Sequence, residues 1–524
     1  MLSRIQPLLD ILKNVFKARK GRPVALVLLL VLLLANLVSE WPAELPQNPW
    51  IVKAGEWLPT PFKGVRQGLF DQYQRHFPRQ PESQPVTIVA IDESSLASIG
   101  QWPWPRNKLA ALIDAINARK PLAIGLDIYM PEADQTSPDK VAANLAPAYA
   151  ALATELKAIP THDTQLAASL HAAPTILGAA AFDQAAYTTS TDLGATPVQV
   201  LSGNPLQYAK HFDNVLASLP ELQSAAHGEA MLSVALEQGV VRRIPLVLGL
   251  GPKLVPGLAM EMLRVATGSA TVDVRAGKTG IESVAVADAV VPTQTAGEIW
   301  LHFAPFAKTR DRYVSAKSVL DGSVDPARLE NKLVLIGLTG AGLNDMRTTA
   351  LGELVPGIEI QAQVIESIFD NHLLLRPPWL KWFESGLILV MGSLMIWYVP
   401  NANSRLAVLL RHVPKAKEML GLLCNLLLLS SGFLVFSRYG YLLDAGSVFV
   451  VLSVVLGSLV SSALVEIEQK RKDEEAVAQS KREADAFLAG QRSSIRPESA
   501  TFRTTVGKAK RPRLGRASIK RRSM

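Results

Sequence analysis

The residues able to do chemistry in this sequence are acids placed near the ends of apolar runs. Asp92 closes the run Val86–Ile91, and Asp127 lies near the end of a second run, 122–128. Alternating strands and helices bind ligands at the carboxyl ends of their strands. Two carboxylates meeting there could hold a polar ligand or a hard cation, which takes oxygen donors, and Glu93 and Asp345 could join them. The simpler assignment is that strand-end aspartates cap helices and accept from loop amides. Trp102 and Trp104 could stack on a ligand, or, interleaved with Pro103 and Pro105, lock a loop onto the domain. Asp92, Glu93, Trp102, Trp104, Asp127 and Asp345 are therefore the candidate ligand-binding residues, and none is a candidate catalytic residue.

Other chemistries lack their signatures. The loop 337–342, GLTGAG, is neither G-x-G-x-x-G nor followed by Gly-Lys-Ser/Thr, so it reads as a tight turn rather than a phosphate cradle. The eight histidines form no zinc pattern, and no G-x-S-x-G elbow occurs. The single cysteine, Cys424, sits in an apolar run, where packing is its expected role. No cofactor and no metal is expected.

The acids need a scaffold. Val86–Ile91 is β-branched and apolar throughout, as suits a strand buried on both faces. After Pro103 and Pro105, Leu109, Leu112, Ile113 and Ile116 recur at helical spacing, and Pro121 closes the helix before the second strand, 122–128. The stretch thus reads as a β–α–β unit. Further strands are expected at Thr175–Phe182, 231–237, 240–250, 298–303 and 332–338, with helices at 61–77, 140–145, 149–158, 164–172, 256–266 and 358–369. The segment 183–228 stays unassigned. Strands alternating with helices predict an α/β domain with a mainly parallel sheet and antiparallel additions.

AIDESS at 90–95, WPWPR at 102–106 and GLDIYMPEAD at 125–134 resemble the type-two CHASE domain, the extracytoplasmic sensory module of bacterial adenylate cyclases and histidine kinases. The likeness continues through GVVRRIPLVLGL at 239–250, the stretch 315–345 and PGIEIQAQVIESIFDN at 356–371. It implies a sensor whose large domain stands outside the membrane, followed by three membrane helices and an output module. The segment 490–524 is too short to bury a catalytic core, so no output activity is carried over.

Charge and hydropathy give the membrane layout. The chain is 48% apolar with a net charge of +8, and residues 465–524 alone hold sixteen Lys/Arg against eight Asp/Glu. With basic residues also concentrated in 1–23 and 401–418, the remainder is acidic, a membrane signature rather than a nucleic-acid one. The expected order is a cytoplasmic basic lead (1–23), an uncleaved span (24–40), an extracytoplasmic domain (41–379) and a second span (380–400). A basic cytoplasmic loop (401–418), a span (419–436), a short external loop (437–447) and a span (448–464) follow. A charged helix (465–489) and a disordered basic tail (490–524) end the sequence. Gly457 with Ser461, and Ser458 with Ser462, suit close helix packing, within one subunit or in a homodimer. The expected partners are the lipid bilayer, a second copy of the chain and a cytoplasmic signalling enzyme in trans, with no nucleic acid. The leading expectation is a multi-pass sensory receptor of the bacterial inner membrane. A truncated or split adenylate cyclase or histidine kinase, and a non-sensing envelope scaffold, are the alternatives.

Overall fold

The computed structural model of the chain describes residues 21–39, 60–186, 190–193, 196–233, 235–343, 345–399 and 416–494. Most of the basic lead (1–23), of the basic loop (401–418) and of the basic tail (490–524) expected from the sequence lies outside the described residues, whereas 490–494 continues the last helix.

The central sheet has seven strands: β1 (Val86–Ile91), β2 (Ala123–Leu126), β3 (Thr175–Phe182), β4 (Asn214–Leu216), β5 (Gly228–Met231), β6 (Tyr313–Ser315) and β7 (Leu333–Leu338). Its order is β6–β1–β7–β2–β3, and both β4 and β5 pair with β3. All of these pairings are parallel except that of β4. Three smaller sheets mix parallel and antiparallel pairs, so the architecture is mixed α/β and the expected mainly parallel sheet describes only its centre. One of them contains a meander, Val272–Ala276, Ile281–Val286 and Ala289–Pro292, whose short strands the sequence reading did not assign.

Ten helices are named here: α1 (Arg22–Ser39), α2 (Thr60–His76), α3 (Glu93–Ile99), α4 (Arg106–Asn117), α5 (His162–Ala172), α6 (Leu258–Thr267), α7 (Gly357–Phe369), α8 (Pro378–Tyr398), α9 (Ala416–Tyr439) and α10 (Ala445–Ser494). The period of two along the central strands sorts their side chains into two cores. Leu333 and Leu335 of β7 face α6 and α7, whereas Val334 and Ile336 face α4 and α5. The stripe Leu109, Leu112, Ile113 and Ile116 is buried along α4. Each such side chain contributes about 1.5–3 kcal/mol by leaving water, which fixes α4 on the sheet and so fixes the loops at its two ends.

Four helices are long and apolar enough to cross a membrane: Arg22–Ser39, Pro378–Tyr398, Gly421–Tyr439 and the first part of Ala445–Leu488. Ala25 and Leu29 of α1, Ile388 and Ile396 of α8, and Val451, Leu452 and Val455 of α10 form one apolar cluster. Gly392 leaves room for Leu29 there, whose side chain would have to shift to admit a Cβ. The chain divides into two compact units, Met1–Val460 and Ser461–Met524. In the second, the described helix is exposed and carries pairs such as Glu466–Lys470 and Glu468–Arg471 on its surface.

Candidate functional site

At the carboxyl end of β1, Asp92 caps α3. Its Oδ1 accepts from the Ser95 amide (2.9 Å), from the Ser95 hydroxyl (2.7 Å) and from the Ser315 hydroxyl (2.8 Å). Burial works against its charge, but these donors outweigh it and hold the carboxyl below the usual aspartate range. Glu93 accepts from the Ala341 amide in the glycine-bearing loop. Asp92 and Asp127 are not on neighbouring strands, contrary to the pairing the sequence suggested. β7, which enters the sheet more than two hundred residues later in the chain, lies between β1 and β2.

The tryptophans turn toward the protein. Trp104 is buried, donates from Nε1 to the Gly100 carbonyl (2.7 Å) and meets Trp102 edge to face at 5.8 Å. Both pack against the α4–α5 core. Arg106, the last residue of WPWPR, pins the next loop. It pairs with Asp163, donates to the Glu132 carbonyl, and gives its amide to Asp134 Oδ2 at 2.8 Å. His162 Nδ1 stands 3.0 Å from the same Asp134 oxygen.

The charge that bears on Asp127 is that of Asp345 and not of Asp92. The Asp127 amide donates to the Ile336 carbonyl at the end of β7 (2.9 Å), and Asp345 lies beyond the loop that follows this strand. Asp345 pairs with Arg347 (3.2 Å), and its carbonyl accepts from the Gly357 amide (2.7 Å). Its carboxylate rests on Gly357 so closely that a Cβ there would collide with both oxygens. The group therefore sits at the first turn of α7, where free amides and the helix dipole favour an anion. Asp127 is half-buried, and among the described residues its carboxylate accepts no hydrogen bond. Burial, then the charge of Asp345, push its pKa up to about 7 against the pull of Arg347. Burial also raises Asp345, opposed by Arg347. Replacing Gly357 by Ala should cost about 1–3 kcal/mol by overpacking this contact, read as a lower thermal midpoint than in wild type.

The sequence model of the CHASE2 domain matches residues 50–398. The chain belongs to the CHASE2 family. CHASE2 domains are extracytoplasmic sensory domains, and the match here runs from before α2 to the end of α8. No curated protein and no solved structure matches the chain.

The residues that tie the CHASE2 domain to the candidate membrane helices escaped sequence reasoning. α2 is gripped on one face by the domain. Arg242 forks onto Asp71 (2.8 Å to each oxygen), Gln67 donates to Glu237 (2.5 Å), and Phe70 meets Trp300 edge to face at 5.5 Å. Another face meets the domain-side ends of the candidate membrane helices. Arg66 pairs with Asp444 (2.7 Å) and donates to Asn36 and Ser39 of α1 (3.3 and 2.8 Å), and the Tyr73 hydroxyl donates to the Leu443 carbonyl (2.9 Å). Glu384 of α8 accepts two donors from Arg376 and one from the Asp444 amide. Just past α2, Arg79 reaches Glu366 (3.1 Å) and Asp370 (2.8 Å) at the far end of α7. The one available sequence signal was the polar spacing Gln67, Asp71, Gln74 on a helix with aromatic neighbours. The cavity of about 460 Å³ between 196–206 and 252–254 shares no residue with the strand-end acids. Among the described residues no group of three acids, histidines or cysteines is close enough to hold a metal ion.

Proposed function

We propose that the chain is a membrane-bound receptor whose CHASE2 domain responds to a stimulus at the carboxyl edge of its sheet, where Asp127 and Asp345 meet. The response passes through α7 and α2 into the membrane helices, and so to a cytoplasmic effector. The observation that carries this reading is the double grip on α2, by Asp71 and Phe70 toward the domain and by Arg66 and Tyr73 toward the spans. A shift of the domain cannot leave α2 in place without breaking a buried charged pair on one side. Such breaks cost about 3–5 kcal/mol, so rigid transmission is favoured over slippage. α7 joins the two ends of the route, with Gly357 at the acid pair and Glu366 and Asp370 on Arg79.

The setting we propose is the bacterial inner membrane, with the domain on the periplasmic or extracellular side. Exposed Trp379, Trp382 and Tyr439 at one level and Trp397 and Tyr398 at the other suit the two water–lipid interfaces, and the basic segments 401–418 and 465–524 favour the cytoplasm. The effector would be a signalling enzyme acting in trans, with a homodimer as the working unit. A disulfide between Leu69→Cys and Gly446→Cys, in a Cys424→Ser background, is the lock that tests this coupling, since the Leu69 Cδ2 atom lies 3.2 Å from where a Cβ on Gly446 would stand. Locking is expected to slow amide exchange along α7 in the full chain in lipid nanodiscs, and reduction to restore it. Exchange in α7 that ignores the lock would refute the coupling.

A further inference from the structure

We propose that the Asp127–Asp345 pair is a proton-operated switch that sets how α7 is seated. This rests on the receptor reading, in which α7 carries the state of the domain toward the membrane, and it names the proton as what that edge responds to.

The basis is an imbalance of charge. Asp127 and Asp345 follow the adjacent strands β2 and β7, near enough for the charge of one to act on the other. The groups that face Asp127 are Asp345, Arg347 and the phenol of Tyr129, so one guanidinium serves two acids. That guanidinium is committed to Asp345 at 3.2 Å. Asp345 also has the first turn of α7 beneath it, through Gly357. Asp127 feels the same guanidinium without an ion pair to it, has no helix end beneath it, and accepts no hydrogen bond at its carboxylate among the described residues. A single proton arriving at the pair therefore belongs on Asp127, where no ion pair or helix end is lost by neutralisation.

The two states differ at Asp345. With Asp127 neutral, Asp345 keeps Arg347 and Gly357 undisturbed. With Asp127 charged, repulsion acts on Asp345, which follows a loop and yields more readily than the strand end. Because the Asp345 carbonyl also accepts the Gly357 amide, any movement of that residue is felt in the first turn of α7. Burial and Asp345 together bring Asp127 to about 7, so the exchange falls in a range an extracytoplasmic surface meets. The sign follows from linkage. The folded state holds this proton to higher pH than the unfolded chain, so stability declines as pH rises from the ordinary aspartate value of 3.8 to about 7 and is level above that.

The test uses the full chain in lipid nanodiscs, comparing thermal midpoint and amide exchange of residues 345–360, corrected for intrinsic rates, at about pH 5.5 and about pH 8. Wild type should melt lower and exchange faster in this segment at the higher pH. Asp127→Asn should lose the exchange difference in this segment and shrink the thermal one, the remainder coming from other buried acids such as Glu229, which burial raises to about 7. Asp345→Asn removes the repulsion and should move the transition to lower pH, which keeps the idea testable if the first variant folds poorly. A wild-type segment indifferent to pH, or an Asp127→Asn chain that keeps the full pH response, overturns the switch. The α2 lock separates the two readings: if it still alters exchange in α7 while pH does not, the proton switch falls and the receptor reading stands.

Discussion

Arg79→Ala is expected to lower stability by about 3–5 kcal/mol, the range for removing one partner of a buried charged pair. Its guanidinium is buried between Glu366 and Asp370, and it donates from Nε to the His302 carbonyl at 3.1 Å. Asp370 keeps donors from Ser83, but Glu366 is left with Arg312 at 2.7 Å as its remaining charged partner. Burial already raises the Glu366 pKa, with Arg312 and Arg79 holding it down. Without Arg79 it rises further, so the variant takes up a proton on Glu366 at higher pH than wild type. The deficit should therefore be largest near neutrality and shrink as pH falls through the raised value. Thermal unfolding of wild type and variant across that range checks both magnitude and slope. Arg79→Lys should recover only part, since an ammonium cannot fork between two carboxylates.

A second large effect is expected at Arg106. Removing its side chain in Arg106→Ala leaves Asp163 buried without its cation and the Glu132 carbonyl without its donor, again about 3–5 kcal/mol. The loss would be local at first. Asp134 depends on Arg106 only through the backbone amide, and His162 remains beside it. Limited proteolysis should therefore cut within 130–140 before the sheet core opens, and early cleavage elsewhere would show that Arg106 holds more of the domain than this loop.

How much of this was legible beforehand differs by residue. The β–α–β stretch was readable because its signals are local: a β-branched run at Val86–Ile91 and a helical stripe from Leu109 to Ile116. The capping role of Asp92 was readable for the same reason, as its donors Ser94 and Ser95 follow it directly. Neighbours in the sheet were not. β7 inserts between β1 and β2 from the far end of the domain, and no local period encodes that choice. The acid pair therefore formed with Asp345 in place of Asp92. Trp102 and Trp104 were open to two readings, and the structure takes the loop-locking one for Trp104. The polar face of α2 was the hardest to see. A helix carrying Arg66, Gln67, Asp71 and Gln74 reads as a surface element, yet all four are buried because their partners lie hundreds of residues away.

That distance bears on how the molecule is made. Arg66 and Asp444 are 378 residues apart, and Tyr73 and Leu443 are 370. At about 5–20 residues per second, roughly 20–75 s separate the emergence of one partner from that of the other. Throughout that interval Arg66 and Tyr73 stand without these partners, and only over its last part, once Leu338 has emerged, is the central sheet beside them complete. The segment at Leu443 and Asp444 is thus a closing bolt for α2, and a chain stalled before Asp444 would present quality-control proteases with a folded domain whose base is still open.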